Sequence, residues 1–182
     1  IEAENQTKSL GKIEGLDDKE ALQLFEMLGM SAPKFFLLNV DPKKRMLFDP
    51  AESIQLQGHT GPFIQYTHAR IKSVLRKAAV LNIQSKKNFA IEKLEPSEQS
   101  VIALLNSYVN RLEEAARTYS PAVIANYVFE LAKEFNQFYQ TVSILNEPDS
   151  EKQRFRVAFT ELTGKAIQQS MKLLGIQVPN RM

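Results

Sequence analysis

From Ser53 to Ile91 the chain contains no Asp or Glu, yet it carries six basic residues: Arg70, Lys72, Arg76, Lys77, Lys86 and Lys87. Cationic side chains beside Tyr66 suit a polyanion with unpaired bases. Lys and Arg neutralise phosphates, and a tyrosine ring offers a stacking face. The alternative is a helix face that is basic only because it is solvated. Other candidates carry less. Tyr127 lies beside the core stripe of its helix, as a stacking platform or a packing residue at the rim. Lys43-Lys44-Arg45 is a short basic loop, and Arg154, Lys165 and Lys172 mix with Glu161 on one helix side. His59 and His68 have no acidic cluster near them in the chain, which argues against general-base or metal roles.

Composition narrows the chemistry further. The 182 residues correspond to one domain, or to one and a small piece, since domains run to ~100–200 residues. Lys and Arg total 23 against 21 Asp and Glu, a net charge of +2, so no uniformly basic or acidic tail is present. There is no cysteine, which excludes disulfides, thiol catalysis and cysteine-held metal. Two histidines are too few for a multi-histidine metal site, and seven glycines leave little for a phosphate-cradling loop. No GxSxG, P-loop or GxGxxG occurs, and no pair of catalytic carboxylates can be assigned. No apolar run approaches the ~18–20 residues of a membrane span. The first residue is Ile1 and no signal-peptide pattern follows, so the chain reads as a piece of a longer cytoplasmic protein.

Helices must position these residues. Residues 1–16 read as an irregular lead-in. Asp17 and Glu20 form a capping-box pattern that opens a helix, with Gly29 as a stop. Ser31-Ala32-Pro33 starts a second short segment, and Asp41 to Arg45 form a loop. Pro62 opens a helix to about Ala79, in which Phe63, Thr67, Ile71, Val74, Leu75 and Ala78 cover one arc. Gln65, Tyr66, Ala69, Arg70, Lys72, Ser73, Arg76 and Lys77 share the other. A long helix is expected from Ser97 to Arg117. Ser120-Pro121 reads as N-cap and first residue of the next helix, with Ile124, Val128, Leu131, Phe135 and Phe138 as its core stripe. The last helix runs from about Glu151 to Leu174, with Phe155, Phe159, Leu162, Ala166 and Leu173 inward, and Gly175 ends it. No strand pattern is present. The expectation is an all-α bundle of five or six helices from residue 61 onward, preceded by a short N-terminal helical appendage.

Several long motifs resemble the class I arginyl-tRNA synthetase family. They are FFLLNVDPKKRMLFDP at 35–50, GHTGPFIQYTHARIKS at 58–73, NYVFELA at 126–132, FNQFY at 135–139 and LLGI at 173–176 before the final Arg181-Met182. Family members typically read GNTGPYLQYAHARIRS in the second motif and end in LLGI…ERM. His59 stands in place of a usual Asn, and Phe63 stands where relatives often have Tyr. Ser31 and Pro33 replace the Gly and Leu of the family's GALKY segment.

The resemblance implies the anticodon-binding type of helical bundle at 58–182, preceded by a segment at 1–57 that follows an absent catalytic domain. It places anticodon contacts on Phe63, Tyr66, Arg70, Tyr127 and Met182. To these the basic face adds Arg76 and Lys77. The implied partner is tRNA(Arg). Arginine and ATP with Mg would be bound by the absent domain, so this chain would need no cofactor, would ligate nothing alone, and would be a monomer. The competing reading is a non-catalytic helical module whose Tyr, Phe and Arg surface docks another protein.

Overall fold

The computed structural model describes residues 17–41, 43–47, 49–84 and 88–182, so the expected lead-in at 1–16 and the basic pair Lys86 and Lys87 lie outside the described residues. Seven helices and no strand are present among the described residues. They are α1 (Asp18–Leu38), α2 (Pro50–Ser53), α3 (Gly61–Val80), α4 (Pro96–Asn106), α5 (Tyr108–Thr118), α6 (Pro121–Thr141) and α7 (Ser150–Leu173).

Helix α1 starts as expected, with the Asp17 side chain accepting from the Glu20 N–H at 2.8 Å and Glu20 returning to the Asp17 N–H at 3.2 Å. It does not stop at Gly29. The helix continues through Pro33 to Leu38. Leu24, Leu28, Ser31, Ala32 and Phe35 are buried along one face. That burial offsets the ~1 kcal/mol and ~3 kcal/mol that Gly and Pro cost inside a helix.

Helix α3 begins where Thr60 accepts from the Phe63 N–H at 3.2 Å, with Pro62 in the first turn. It is packed by α1, α6 and α7. The central core joins Ile64, Ile71 and Val74 of α3 to Val128, Leu131 and Phe135 of α6 and to Val157, Ile167 and Met171 of α7. Phe35 of α1 belongs to this same core, and Leu24 and Leu28 form a second, smaller cluster.

The helix expected over 97–117 is interrupted at Ser107, leaving α4 and α5 of 11 residues each. The Ser107 hydroxyl donates back to the Leu104 carbonyl at 2.8 Å, the type of local bond that competes with helix continuation. Ser120 precedes Pro121 as expected but makes no side-chain cap bond.

In α7 the inward line differs from the expected one. Leu162 and Leu173 are 55% and 61% exposed, whereas Thr160, Thr163 and Gly164 are buried. The two threonine hydroxyls donate to the carbonyls of Arg156 and Phe159 at 2.7 and 2.9 Å. Polar residues satisfied within their own helix can face a core, and hydropathy alone places them outside.

One buried ionic network joins α4, α7 and the α6–α7 loop. Arg156 and Glu98 are both almost fully buried, and Arg156 Nε donates to Glu98 Oε1 at 2.7 Å. Arg156 Nη1 donates to the Ser143 carbonyl at 2.8 Å and to Glu147. Removing one partner strands the other charge away from water, a loss of ~3–5 kcal/mol. Arg156→Met should therefore lower the melting temperature sharply. Adding Glu98→Gln should recover part of the loss, as read by calorimetry of the two variants.

Candidate functional site

Tyr66, Arg70, Ser73 and Lys77 follow i, i+4, i+7, i+11 along α3 and so share one narrow strip. The open face is narrower than the helical wheel predicts. Gln65 and Ala69, expected on the basic face, are buried. Segment 175–182 covers that side of α3 together with α1. Gln65 Nε2 donates to the Gln177 carbonyl at 2.7 Å and to the Met27 carbonyl of α1 at 3.4 Å.

Arg70 is the best-held cation of the strip. Its guanidinium carbon lies 4.8 Å from the Tyr66 ring centroid and 4.9 Å from that of Tyr139. One N–H goes to Asn136 Oδ1, and Asn136 Nδ2 donates in turn to Thr67 Oγ1 at 2.8 Å. The Thr67 hydroxyl donates to the Phe63 carbonyl at 2.9 Å. A planar cation between two rings and anchored at one edge keeps its orientation without a ligand.

The strip forms the floor of a cleft of about 730 Å³, walled by loop residues Val142 to Leu145 and by Arg181 and Met182. Five of the expected site residues line it: Tyr66, Arg70, Arg76, Lys77 and Met182. Tyr139 and Arg181 join them. Among the described residues the lining holds four cationic side chains and no acidic one. Such a wall attracts an anion, and its aromatic rings can take a flat apolar face.

Two further side chains fix the segment that supplies Arg181 and Met182. Arg76 Nη1 donates to the Asn180 carbonyl at 2.9 Å, so Arg76 both faces the cleft and holds its wall. His68 is fully buried, and its Nδ1–H donates to the Pro179 carbonyl at 2.8 Å. Burial, followed in the same direction by the charge of Lys72, holds this imidazole below its ordinary value of 6.5.

Two expected contacts fall elsewhere. Phe63 is outside the cleft, with its half-buried ring 5.5 Å from that of Phe129. Tyr127, offered as a stacking platform or a packing residue at the rim, is 4% exposed in the core with the Tyr108 ring 5.6 Å away. Among the described residues its hydroxyl has no hydrogen-bond partner, and burial pushes the phenol up to about 12. Conversely, sequence reasoning missed Tyr139, Asn136 and Arg181. The signal existed in the 135–139 motif, where Asn136 and Tyr139 sit one turn apart. Only the packing of α6 on α3 brings both to Arg70.

Among the described residues no helix is long and apolar enough to cross a membrane, and no group of three or more acidic or histidine side chains is placed to hold a metal ion.

A family model described as the DALR anticodon binding domain matches residues 64–182. The chain is similar to the arginine–tRNA ligase of Amoebophilus asiaticus, 48% identical over 99% of this chain and 30% of that protein. It is 45% identical to that of Flavobacterium psychrophilum, over 99% of this chain and 29% of that protein. Among solved structures, the Thermus thermophilus arginyl-tRNA synthetase superposes with a TM-score of 0.84 at 26% identity, covering 100% of this chain and 31% of that one. The chain thus spans about 30% of the length of the curated relatives it matches.

Two measurements follow from the buried ring and the buried imidazole. Tyr127→Phe removes a hydroxyl that finds no partner, so its melting temperature should equal or exceed the parent's, whereas Tyr127→Ala should cost ~3–5 kcal/mol. For His68, folding resists the proton that the unfolded chain accepts. Its contribution is complete above about pH 6.5 and is lost as pH falls through the depressed folded value. The drop in melting temperature between pH 7 and pH 5.5 should be shallower in His68→Asn, which cannot titrate there.

Proposed function

Because the chain belongs to the DALR anticodon-binding domain family, we propose that its cleft receives the anticodon loop of tRNA(Arg) as part of a longer arginine–tRNA ligase. The observation that carries this reading is the acid-free cleft with Arg70 set between Tyr66 and Tyr139. The mechanism is recognition without chemistry. Splayed bases stack on the two tyrosine rings, the Arg70 guanidinium meets a base edge or phosphate, and Arg76, Lys77 and Arg181 neutralise backbone charge. Met182 offers apolar surface at the wall. Phe63 belongs to the aromatic cluster at the start of α3 and Tyr127 to the core, so neither is a contact in this reading.

Residues 58–182 form the reading unit, and 1–57 join it to the rest of the ligase. In this reading arginine and ATP with Mg are bound by that remainder, in a cytoplasmic, monomeric enzyme. The 182-residue chain alone therefore activates no amino acid. Arginine-dependent ATP–pyrophosphate exchange, assayed with tRNA(Arg) present, should stay at background.

Binding itself is tested by titrating the chain with tRNA(Arg) and a non-cognate tRNA across a salt series. Lys77→Ala should weaken both about equally and flatten the salt slope by roughly one unit. Tyr66→Ala should weaken tRNA(Arg) by roughly tenfold, since stacking is worth ~1–3 kcal/mol per base. An affinity for tRNA that neither substitution changes would leave the cleft as a solvated surface, or a docking site for another protein.

A further inference from the structure

We propose that Gln65 and His68 are positioning residues: they read the backbone of segment 175–182 and thereby hold Arg181 and Met182 in the wall of the cleft. The inference rests on the RNA-binding reading given above and adds two residues that touch no ligand.

Both side chains are polar and fully buried on a helix face otherwise filled by apolar groups. Burying an amide or an imidazole costs free energy unless its polar atoms find partners. Here each side chain sends one donor to the same segment, Gln65 to the Gln177 carbonyl and His68 to the Pro179 carbonyl, while Gln65 Oε1 and His68 Nε2 meet no partner among the described residues. Arg76 adds a third bond one residue further on, at Asn180. The three carbonyls run in order along α3, so the segment lies along the helix as far as the cleft.

Apolar contacts share this task, with Val178 packed against the main core and Met182 against Leu24 and Leu28 of α1. The chain reverses after α7 at Gly175, whose φ of +67° favours glycine, and Lys34 Nζ meets the Gly175 carbonyl at 2.9 Å. Ile176 and Pro179 are buried, but both lie upstream of the wall residues. Arg181 and Met182 follow the last of the bonds directly. Loosening Gln65 and His68 would leave Arg76, itself a cleft cation, to hold the segment's last carbonyls among the described residues.

Backbone ¹⁵N relaxation of the 182-residue chain, read at Gln177, Val178 and Asn180 to Met182, tests the structural half without RNA. His68→Leu should lower backbone order there, with order parameters falling from about 0.85 toward about 0.6, while α3, α6 and α7 keep theirs. His68→Asn, which can still present a donor at the Nδ1 position, should restore it. Should His68→Leu fail to fold, Gln65→Leu gives the same reading from the other bond.

The functional half is a double-mutant cycle on tRNA(Arg) affinity. His68→Leu should weaken binding in the parent and have little further effect once Arg181→Ala and Met182→Ala are present. Unchanged backbone order in the segment overturns the proposal, and so does an equal loss of affinity in both backgrounds. A loosened segment in a chain that binds no tRNA would locate the failure in the RNA-binding reading, and would remove the positioning role with it.

Discussion

The close seating of α3 between α1 and α7 is the constraint on which the rest of the molecule depends. A Cβ added at Gly164 of α7 would lie 2.7 Å from Ile71 Cγ2, and one at Gly61 would overlap Ser31 Oγ of α1. Both approaches are closer than contact, so the helices come this close only because those two positions lack side chains. With α6 on a third side, Ile64, Ile71, Val74 and Ala78 are sealed in the core. The strip of α3 that carries Tyr66, Arg70 and Lys77 stays outside this core and lines the cleft. A tightly packed helix is stiff, and stiffness is what keeps cations and rings at fixed separations before a ligand arrives.

Electrostatics in this chain are local. A net charge of +2 on 182 residues gives little overall attraction for a polyanion. The field comes from gathering Arg70, Arg76, Lys77 and Arg181 around one cleft without an acid among its lining. Elsewhere several cations are matched, as in the surface pairs Lys165–Glu161 at 2.7 Å and Arg111–Glu114 at 2.8 Å. The buried Arg156 is wholly engaged by Glu98, Glu147 and the Ser143 carbonyl. Its part in the cleft is indirect, since Ser143 belongs to the loop wall. The cleft cations have no acidic side chain beside them and the structural cation has two, so only the former can release counterions on binding RNA.

Much of this was legible in the chain. The start of α3 at Pro62, the core stripe of α6 and the capping box of α1 were read from local signals, because each depends on residues within a turn or two. The acid-free stretch marked the basic helix, and the family motifs marked Tyr66, Arg70 and Met182. What failed depended on neighbours far along the chain. Gln65 looked solvated because nothing near it in sequence covers it, and the covering segment is 112 residues away. Tyr127 looked like a rim residue until α5 laid Tyr108 against it. Thr160 and Thr163 looked polar because their hydroxyl bonds close within α7. Gly29 looked like a helix end, but burial of Leu28, Ala32 and Phe35 carried α1 past it.

The central claim, that the cleft beside α3 is the RNA-binding surface, is tested most directly by nuclear magnetic resonance of the labelled 182-residue chain titrated with an isolated tRNA(Arg) anticodon stem-loop. The account predicts that shifts concentrate at Tyr66, Arg70, Lys77 and Tyr139, with the loop 142–145 and Arg181 following at the same RNA concentrations. Shifts clustered instead on the exposed α1 residues Leu22, Met30 and Leu37, or around Tyr119 at the end of α5, would contradict it. So would a spectrum that the RNA leaves unchanged.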